Sequence, residues 1–363
     1  MNLIDEFRDT ELGQKLIAKI HQVSTKKIRL MEFCGGHTVA ILKYGIRQLL
    51  PPTIEMLSGP GCPVCVTSNA DLDKAIALAE LPNVTITTFG DMIKVPGSYS
   101  SLERAKATGS KVKIVYSAHD ALDMAQVNPR EPVIFIGVGF ETTAPTIAAA
   151  IIEAQERNIR NFYVLPLLKI CPPIIKTILD LGETKVNGII GPGHVSAIIG
   201  SQPYQFIPDK YGIGCVISGF EPLDILLTVA MLVKQFEKSE PKVEIAYTRG
   251  VKPEGNMHAL HIMNSVFEPT TANWRGIGAV PSSGLTIRKE YEMFDALKQF
   301  LVTVPPPMEP KGCLCGEVVQ GLKIPSDCKL FRTTCSPENP IGPCMVSHEG
   351  ACSAYYLYGE TYG

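Results

Sequence analysis

The sequence has little net charge and no long apolar run. Its 34 Lys and Arg residues nearly balance its 36 Asp and Glu residues, so no strong field is available to attract nucleic acid or an anionic lipid surface. No apolar run reaches the roughly 18 residues of a membrane-spanning helix, and the acidic, amphipathic start is unlike a signal peptide. We therefore expect a cytoplasmic protein without nucleic-acid or membrane partners.

The sequence also lacks the glycine-rich signatures of nucleotide-binding proteins. Gly137 and Gly139 follow an apolar run, but Thr142 stands where a dinucleotide-binding loop needs its third glycine. No phosphate-binding loop of the form GxxxxGKS or GxxxxGKT occurs in the chain. Sequence motifs therefore give no support for a nucleotide cofactor.

Cysteine, in contrast, is abundant, with 11 residues. An odd number cannot form a fully paired disulfide framework, and clustered thiols in a reducing compartment usually serve metal or redox chemistry. Three cysteines lie early in the chain, two lie alone in the middle and six lie near the end: Cys34, Cys62 and Cys65; Cys171 and Cys215; Cys313, Cys315, Cys328, Cys335, Cys344 and Cys352. The two central cysteines lie in apolar surroundings, which predicts buried core thiols.

Short apolar runs alternate with helical patterns over most of the chain, as is typical of α/β proteins with parallel sheets. Strands are predicted at residues 28–33, 54–57, 84–89, 112–116, 133–136, 162–165, 186–190 and 215–218. The pattern restarts after Asn158, and GPG and GFE each recur, which suggests two lobes of similar build. From about Val304 the chain becomes rich in proline, glycine and cysteine. The sequence predicts two parallel-sheet α/β lobes, over residues 1–158 and 159–303, and a smaller C-terminal domain over residues 304–363.

The C-terminal cysteines indicate a metal centre. Four of them are separated by 14, 6 and 16 residues: Cys313, Cys328, Cys335 and Cys352. Loops interrupted by prolines can present four such thiolates to Zn²⁺ or to an iron–sulfur cluster. Zinc sites favour CxxC or CxxxxC pairs, which this segment lacks, so the spacing favours a [4Fe-4S] cluster and an iron–sulfur domain. Cys315 and Cys344 remain as alternative ligands or as a redox dithiol beside the cluster.

Three other cysteines and a histidine are predicted at the carboxyl ends of two strands. Cys34 precedes a helix, whose dipole and free backbone N–H groups lower the pKa of a thiol. His37 lies close enough to donate a proton or a hydrogen bond to a group held by Cys34. Cys62 and Cys65 follow the next strand, and adjacent parallel strands end at one edge of a sheet. The CxxC is typical of a redox pair or half a zinc site, and it also suits an iron site shared with Cys34.

Two further motifs lie at predicted strand ends. GFETTAP, which starts at Gly139, offers Thr142 or Thr143 as a helix N-cap. GPGHVS, which starts at Gly191, places His194 either in a cleft or in a simple turn.

Five motifs together resemble the HypD family of hydrogenase-maturation proteins. They are CGGHT at Cys34, GPGCPVC at Gly59, GFETTAP at Gly139, GPGHVS at Gly191 and the C-x14-C-x6-C-x16-C series that ends at Cys352. The resemblance runs over essentially the whole chain. It implies a scaffold on which the Fe(CN)₂CO unit of [NiFe]-hydrogenases is assembled, rather than a conventional turnover enzyme. The implied partners are the small chaperone HypC and the cyanide donor HypE.

The resemblance also implies roles for particular cysteines. Cys34, Cys62 and Cys65 would handle the iron, whose soft low-spin state suits thiolate ligands. The C-x14-C-x6-C-x16-C series would hold a [4Fe-4S] cluster, with Cys315 and Cys344 as candidate redox helpers. Electrons from the cluster would reach the CxxC pair if the C-terminal segment packs near that edge. Two alternatives stay open: a thiol–disulfide oxidoreductase with a structural cluster, and a cluster-bearing α/β enzyme acting on a small molecule.

Overall fold

The computed structural model describes residues 5–359. The β-strands within them are β1 (Ile28–Glu32), β2 (Ile54–Ser58), β3 (Thr85–Thr88), β4 (Lys111–Ile114), β5 (Val133–Gly139), β6 (Phe162–Leu168), β7 (Gly188–Pro192), β8 (Gly214–Ser218), β9 (Val243–Ile245), β10 (Phe267–Trp274) and β11 (Gly278–Ile287). The first α-helices are α1 (Thr10–Val23), α2 (Gly35–Lys43), α3 (Ile46–Leu49), α4 (Pro63–Val66), α5 (Asn69–Ala79), α6 (Gly90–Lys94), α7 (Leu102–Ala107), α8 (Ala118–Val127) and α9 (Ala144–Glu156). The later ones are α10 (Cys171–Leu181), α11 (Gly193–Ile199), α12 (Phe206–Tyr211), α13 (Pro222–Lys238), α14 (Met257–Val266), α15 (Ala296–Gln299), α16 (Cys315–Val319) and α17 (Ala351–Tyr358). Short 3-10 segments occur at Asp5–Arg8, Gln202–Tyr204, Lys289–Phe294, Pro325–Asp327 and Pro343–Met345.

Nine of these strands form two parallel sheets. One sheet has five strands in the order β2-β1-β7-β8-β9, and the other has four in the order β4-β3-β5-β6. The central strand β5 is buried along its whole length because helices cover both faces of the sheet. The expected α/β class with two parallel sheets is confirmed. Across residues 5–359, no helix combines the length and hydrophobicity needed to cross a bilayer.

The strand pairing does not follow the predicted division at residue 158. The early strands β1 and β2 share a sheet with β7 and β8, which come more than a hundred residues later. Strand β6, predicted in the second lobe, pairs with β5 in the four-stranded sheet. The boundary between 1–158 and 159–303 is therefore wrong, and the lobe built on the five-stranded sheet is discontinuous in sequence. Apolar runs identify strands, but their partners are chosen by packing between distant segments.

An antiparallel hairpin and the C-terminal segment complete the structure. Strands β10 and β11 pair with each other, and single bridges tie them to Thr67, which follows α4, and to Lys169, which follows β6. The C-terminal segment has only short helices, and its last helix, α17, packs against α2. Four of its buried cysteines belong to the same apolar cluster as Cys62 and Cys65: Cys315, Cys335, Cys344 and Cys352. The segment therefore folds onto a lobe, as expected for a part too small to hold its own core.

Candidate functional site

The two loops that carry Cys34 and Gly61 meet at the carboxyl edge of the five-stranded sheet. Strands β1 and β2 stay in register up to Glu32 and Ser58, so the loops leave the sheet side by side. The Gly35 N–H donates to the Gly61 carbonyl at 3.0 Å. A β carbon at Gly61 would lie only 2.3 Å from the Cys34 backbone nitrogen, so only glycine fits there. We call this edge, with Cys34, Cys62 and Cys65, the rim site.

Strands β7 and β8 bring an aromatic stack to the same edge. The Phe220 ring lies between two imidazoles, with centroid distances of 4.7 Å to His37 and 3.8 Å to His194. Gly36 and Gly193 leave room for this ring, since a β carbon on either would lie 3.0 Å and 3.3 Å from it. His194 therefore lines the rim site. Phe220 was missed in the sequence, where the only signal is the second GFE motif.

Cys34 is the N-cap residue of α2 and is 7% exposed. Burial raises the pKa of its thiol well above the usual value, and the carboxylates of Glu349 and Glu32 raise it further. The backbone N–H groups of Gly36 and His37 lower it, as the helix start predicts, but burial dominates. The predicted low pKa is therefore wrong for the free thiol. A metal ion bound at Cys34 would supply the positive charge that ionises it.

Glu32 is a buried carboxyl beneath Cys34 that sequence reasoning missed. It is 1% exposed, and its Oε2 accepts the Cys34 backbone N–H at 2.9 Å. Its Oε1 accepts the Thr38 hydroxyl, and burial raises its pKa to about 7. The available signal was an acidic residue inside an apolar strand directly before CGGHT. Glu32 fixes the backbone of the loop that presents Cys34.

His37 is fully buried behind the rim site. Its Nε2 lies 3.3 Å from the Ser218 carbonyl oxygen, which requires a proton on that nitrogen. Burial lowers the pKa of His37 to about 4, so the ring is neutral near pH 7. Its Nδ1 has no partner within the described part of the chain and is free to accept a hydrogen bond. The neutral ring already donates from Nε2, so its Nδ1 can only accept a hydrogen bond, which does not suit the proton donation that the sequence predicted.

Cys62 and Cys65 are joined by a disulfide with a Cα–Cα distance of 5.3 Å. Cys62 is the N-cap residue of α4, and its sulfur accepts the Cys65 N–H at 3.2 Å. The two residues are only 4% and 1% exposed. Of the two ordinary interpretations of the CxxC, this arrangement favours the redox pair.

All six C-terminal cysteines line one small cavity, which we call the tail cavity. The Cys344 and Cys352 sulfurs are 3.3 Å apart, and the thiols of Cys315 and Cys344 hydrogen-bond. A β carbon at Gly342 would lie 2.8 Å from the Cys313 sulfur, so glycine lets the chain approach the thiols. The sequence prediction that these residues gather is confirmed.

The chemistry of the tail cavity suits a soft metal cluster. Its other lining residues are apolar: Leu314, Val318, Leu330, Phe331, Gly342 and Met345. Thiolates in an apolar cavity are the usual ligands of iron–sulfur clusters. Burial raises the pKa of the Cys313 thiol to about 12, so a bound metal would be needed to hold it as a thiolate. Within residues 5–359, no three potential ligands already stand in a metal-binding arrangement, so these thiols would have to turn toward a bound cluster.

The tail cavity lies directly against the rim site. The Cys65 sulfur is 3.9 Å from the carbonyl oxygen of Pro343, the residue before Cys344. A β carbon at Gly35 would lie 2.2 Å from the Glu349 carbonyl oxygen. The proximity required for electron transfer between the two regions is therefore present. A cleft of about 370 Å³, lined in part by Val64, Asp91, Thr143, His348 and Glu349, opens beside them.

The central cysteines belong to the apolar core beneath the five-stranded sheet's carboxyl edge, in one cluster with Phe33. Cys171 and Cys215 are 1% and 0% exposed, as predicted for core thiols. Glu141, from GFETTAP, is also buried and accepts the Cys171 N–H at 2.8 Å. Its carboxyl therefore caps the start of α10, and burial raises its pKa to about 7. Thr143 occupies the N-cap position of α9 without a side-chain cap hydrogen bond.

The geometry agrees with what comparison with known proteins finds. A family model, HypD, described as "Hydrogenase formation hypA family", matches residues 11–359. The chain belongs to the HypD family. The resemblance found in the motifs is confirmed over nearly the whole length.

Named relatives agree with this assignment. The chain is 44% identical to the hydrogenase maturation factor HypD of Cupriavidus necator, over 99% of this chain and 98% of that protein. It is 45% identical to the factor of the same name from Azotobacter vinelandii, over 99% and 97% of the two chains. A putative hydrogenase expression/formation protein of the archaeon Methanocaldococcus jannaschii is 43% identical over 96% and 98%. The similarity therefore covers the rim site, both sheets and the tail cavity.

Proposed function

We propose that this protein is a hydrogenase maturation factor that holds iron at the rim site while the Fe(CN)₂CO unit is built on it. The names of its relatives support the maturation role. The single observation that carries the mechanism is the contact between Cys65 and the segment of Cys344, which joins a disulfide to a cavity of six thiols. A protein that only held iron would not need this second thiol region at its edge.

The rim site offers the ligands that such an iron requires. Cys34 and the reduced Cys62–Cys65 pair supply thiolates, which bind soft, low-spin iron well. The Gly36 backbone N–H at the start of α2 faces the Cys34 sulfur, so it can also donate to the nitrogen of a cyanide bound beside that sulfur. Iron and its diatomic ligands are the cargo of this site.

Reduction of the disulfide is the step that opens the site. The Cys344 sulfur attacks Cys65, which forms a Cys344–Cys65 bond and breaks the Cys62–Cys65 bond, and the proton of the attacking thiol passes to the released Cys62 sulfur, as that of Cys315 passes to Cys65 in the next step. Cys315 then attacks Cys344, which releases Cys65 and leaves a Cys315–Cys344 disulfide. Two electrons and two protons restore that dithiol. Cys313, Cys328, Cys335 and Cys352 would hold a [4Fe-4S] cluster, which would supply this dithiol with single electrons drawn from an external one-electron carrier.

Partners complete the proposed assembly. We propose that the small chaperone HypC and the cyanide donor HypE approach through the 370 Å³ cleft beside α4. The cleft is lined by the start of α4, next to Cys62, and by Glu349, whose backbone lies against Gly35, so it opens beside the rim site. An open cleft suits transient partners, because each must leave after delivering its group.

The buried position of the disulfide speaks against the alternative function. A thiol–disulfide oxidoreductase needs one sulfur that a substrate thiol can reach. Cys62 and Cys65 are nearly inaccessible, whereas Cys65 faces the chain's own Cys344 segment. The pair is therefore better placed for internal reduction than for turnover of an external dithiol.

Infrared spectroscopy of the full-length protein, isolated anaerobically with HypC, tests the proposal. We expect bands of iron-bound CO and cyanide in the wild type. Cys34→Ala should abolish these bands and keep the visible absorption of the cluster, while Cys171→Ala, in the core, should keep both. Wild-type protein without such bands would overturn the scaffold function, and bands that persist in Cys34→Ala would remove Cys34 from the iron.

A further inference from the structure

The turn of the β10–β11 hairpin is bound to the helix that carries Cys65. This turn covers residues 275–277, and it had no role in the sequence motifs. The Arg275 backbone N–H donates to the Val66 carbonyl at 2.9 Å. The Arg275 side chain donates from Nε to the Thr67 carbonyl at 3.1 Å. The turn is therefore hydrogen-bonded to the C-terminal end of α4, starting one residue beyond Cys65.

On its other side, the same turn lies against the helix that begins with Cys315. A β carbon at Gly276 would lie 2.3 Å from the Gly316 Cα, so the two backbones are in direct contact. Gln320 Nε2 donates to the Gly276 carbonyl at 2.8 Å and to the Gly316 carbonyl at 2.9 Å. The turn therefore joins α4 to α16, and through them it joins Cys65 to Cys315.

Arg275 itself is a buried charge whose partners come from several segments. Its side chain is 1% exposed, and Nη1 donates to Glu309 Oε2 at 2.6 Å. Nη2 donates to the Asn69 side-chain oxygen. Burying a guanidinium costs free energy unless its N–H donors are hydrogen-bonded, and its planar group donates only in fixed directions. The side chain therefore fixes the C-terminal segment at Glu309 relative to the chain that leaves α4.

We infer that Arg275 and the 275–277 turn form a strap that holds α4 against α16 and sets the distance across which the tail thiols reduce the Cys62–Cys65 disulfide. This inference rests on the thiol relay of the proposed function. Arg275 does not touch the reacting sulfurs and is a positioning residue. Thiol–disulfide exchange needs the attacking sulfur in line with the bond that breaks, so a small displacement of either helix slows it strongly.

Two rates measured on the same anaerobic, cluster-loaded protein test the strap. One is the appearance of free Cys62 and Cys65 thiols, counted by mass after alkylation, when the cluster is photoreduced. The other is their appearance with a small phosphine, which bypasses the tail thiols. In Arg275→Met, the cluster-driven rate should fall by about tenfold to 100-fold. The phosphine rate should stay equal or rise, and visible absorption confirms that the cluster remains.

Three further variants separate positioning from charge and from general damage. Arg275→Lys keeps the charge without the fork and should remain slow. Gly316→Ala, whose new β carbon would lie 2.8 Å from the Gly276 Cα, should push α16 from the turn and slow the same rate. Gly316→Ala tests the strap independently if Arg275→Met does not fold. Arg288→Met, at the far end of the same hairpin, removes a comparable hydrogen bond and should behave as wild type.

The outcomes distinguish the strap from the relay. Wild-type cluster-driven rates in both Arg275→Met and Gly316→Ala would overturn the strap while leaving the relay intact. Equal slowing of the cluster-driven and phosphine rates would show that the turn only stabilises the fold, which also overturns it. Wild-type protein in which the photoreduced cluster never reduces the disulfide would overturn the relay itself, and the strap with it.

Discussion

The rim site and the tail cavity present cysteines in two different ways. At the rim, Cys34 and Cys62 are N-cap residues of helices that follow adjacent strands, so regular structure fixes both. In the tail, the cysteines lie on short helices and turns, and no β-strand occurs between residues 304 and 359. The rim is therefore organised before any metal binds, whereas we expect the tail to depend on its cluster for stability.

The two regions also differ in what surrounds each thiol. Cys34 lies near two carboxylates, and Cys313 lies among other thiols in an apolar cavity. Burial raises the pKa in both cases, but the rim adds fixed negative charge while the tail does not. A metal bound in either region would have to ionise the thiols that hold it. Only the rim has a buried acid, Glu32, whose own protonation changes the local charge.

Removing one proposed cluster ligand of the tail should have the largest effect of any change that tests this contrast. Cys335→Ser should lose nearly all cluster absorption and make residues beyond 304 sensitive to a protease, because a small segment without its metal has little core. The far-ultraviolet circular dichroism of the two sheets should persist. Cys34→Ser is the matched control and should keep both the absorption and the protease resistance. Loss of the cluster in Cys34→Ser would mean that rim and tail are one site.

The next effect comes from the buried acid of the rim. Because folding raises the pKa of Glu32 from 4.5 to about 7, the native state binds the proton more tightly than the unfolded state. Its contribution to stability is complete below pH 4.5 and is lost as pH rises through 7. Glu32→Gln removes this loss, so the variant should gain about 3 kcal/mol relative to wild type between pH 5 and 8.

Urea titrations at pH 5 and pH 8 measure the unfolding free energies of the wild type and of Glu32→Gln. Exposed Glu11→Gln is the matched control, since it changes an acid that lies outside the rim. The unfolding free energy of Glu11→Gln should change with pH by the same amount as that of the wild type. If the unfolding free energy of Glu32→Gln also changes with pH as that of the wild type does, folding does not raise the pKa of Glu32.

A smaller effect tests how closely the two rim loops must approach. In Gly61→Ala, the added methyl group would lie 2.3 Å from the Cys34 nitrogen, so backbone must move. We expect a loss of about 2 kcal/mol of unfolding free energy. Gly90→Ala is the control, because its β carbon would meet only Ile114 at 3.8 Å. If both variants lose the same stability, the contact between the loops is not what holds the rim.

The sequence predicted the rim better than the lobes for a physical reason. Strands β1 and β2 are close in sequence, so their adjacency, and the meeting of Cys34 with Cys62, followed from parallel-sheet geometry. The pairing of β1 with β7 links Leu30 to Gly188, and no local pattern encodes such a distant choice. That pairing is what brings Phe220 and His194 to the rim, and it is why the sequence missed Phe220 and left His194 open between a cleft and a turn.

The tail shows the opposite balance. The spacing of its cysteines predicted that they lie close together, because ligands of one metal centre must do so. Their contact with the rim depends on Pro343 and on the hairpin turn of Arg275, which carry no cysteine motif. Similarly, the net pKa of Cys34 depends on burial, whereas its sequence revealed only the helix start. Composition thus identifies the chemistry of each region, whereas tertiary packing determines how close together the two regions lie.

The smallest expected effect concerns the contact between the last helix and the rim. Arg47 donates to the Tyr355 hydroxyl on α17 and to the Met56 carbonyl on β2 at 3.1 Å, so it bridges tail and sheet. Tyr355→Phe removes one of these acceptors and should cost about 1 kcal/mol of unfolding free energy in urea titrations. Tyr356→Phe, on the same helix, is the control. If Tyr355→Phe instead causes loss of the cluster, the tail relies on this bridge more than on its metal, and the contrast between the two regions fails.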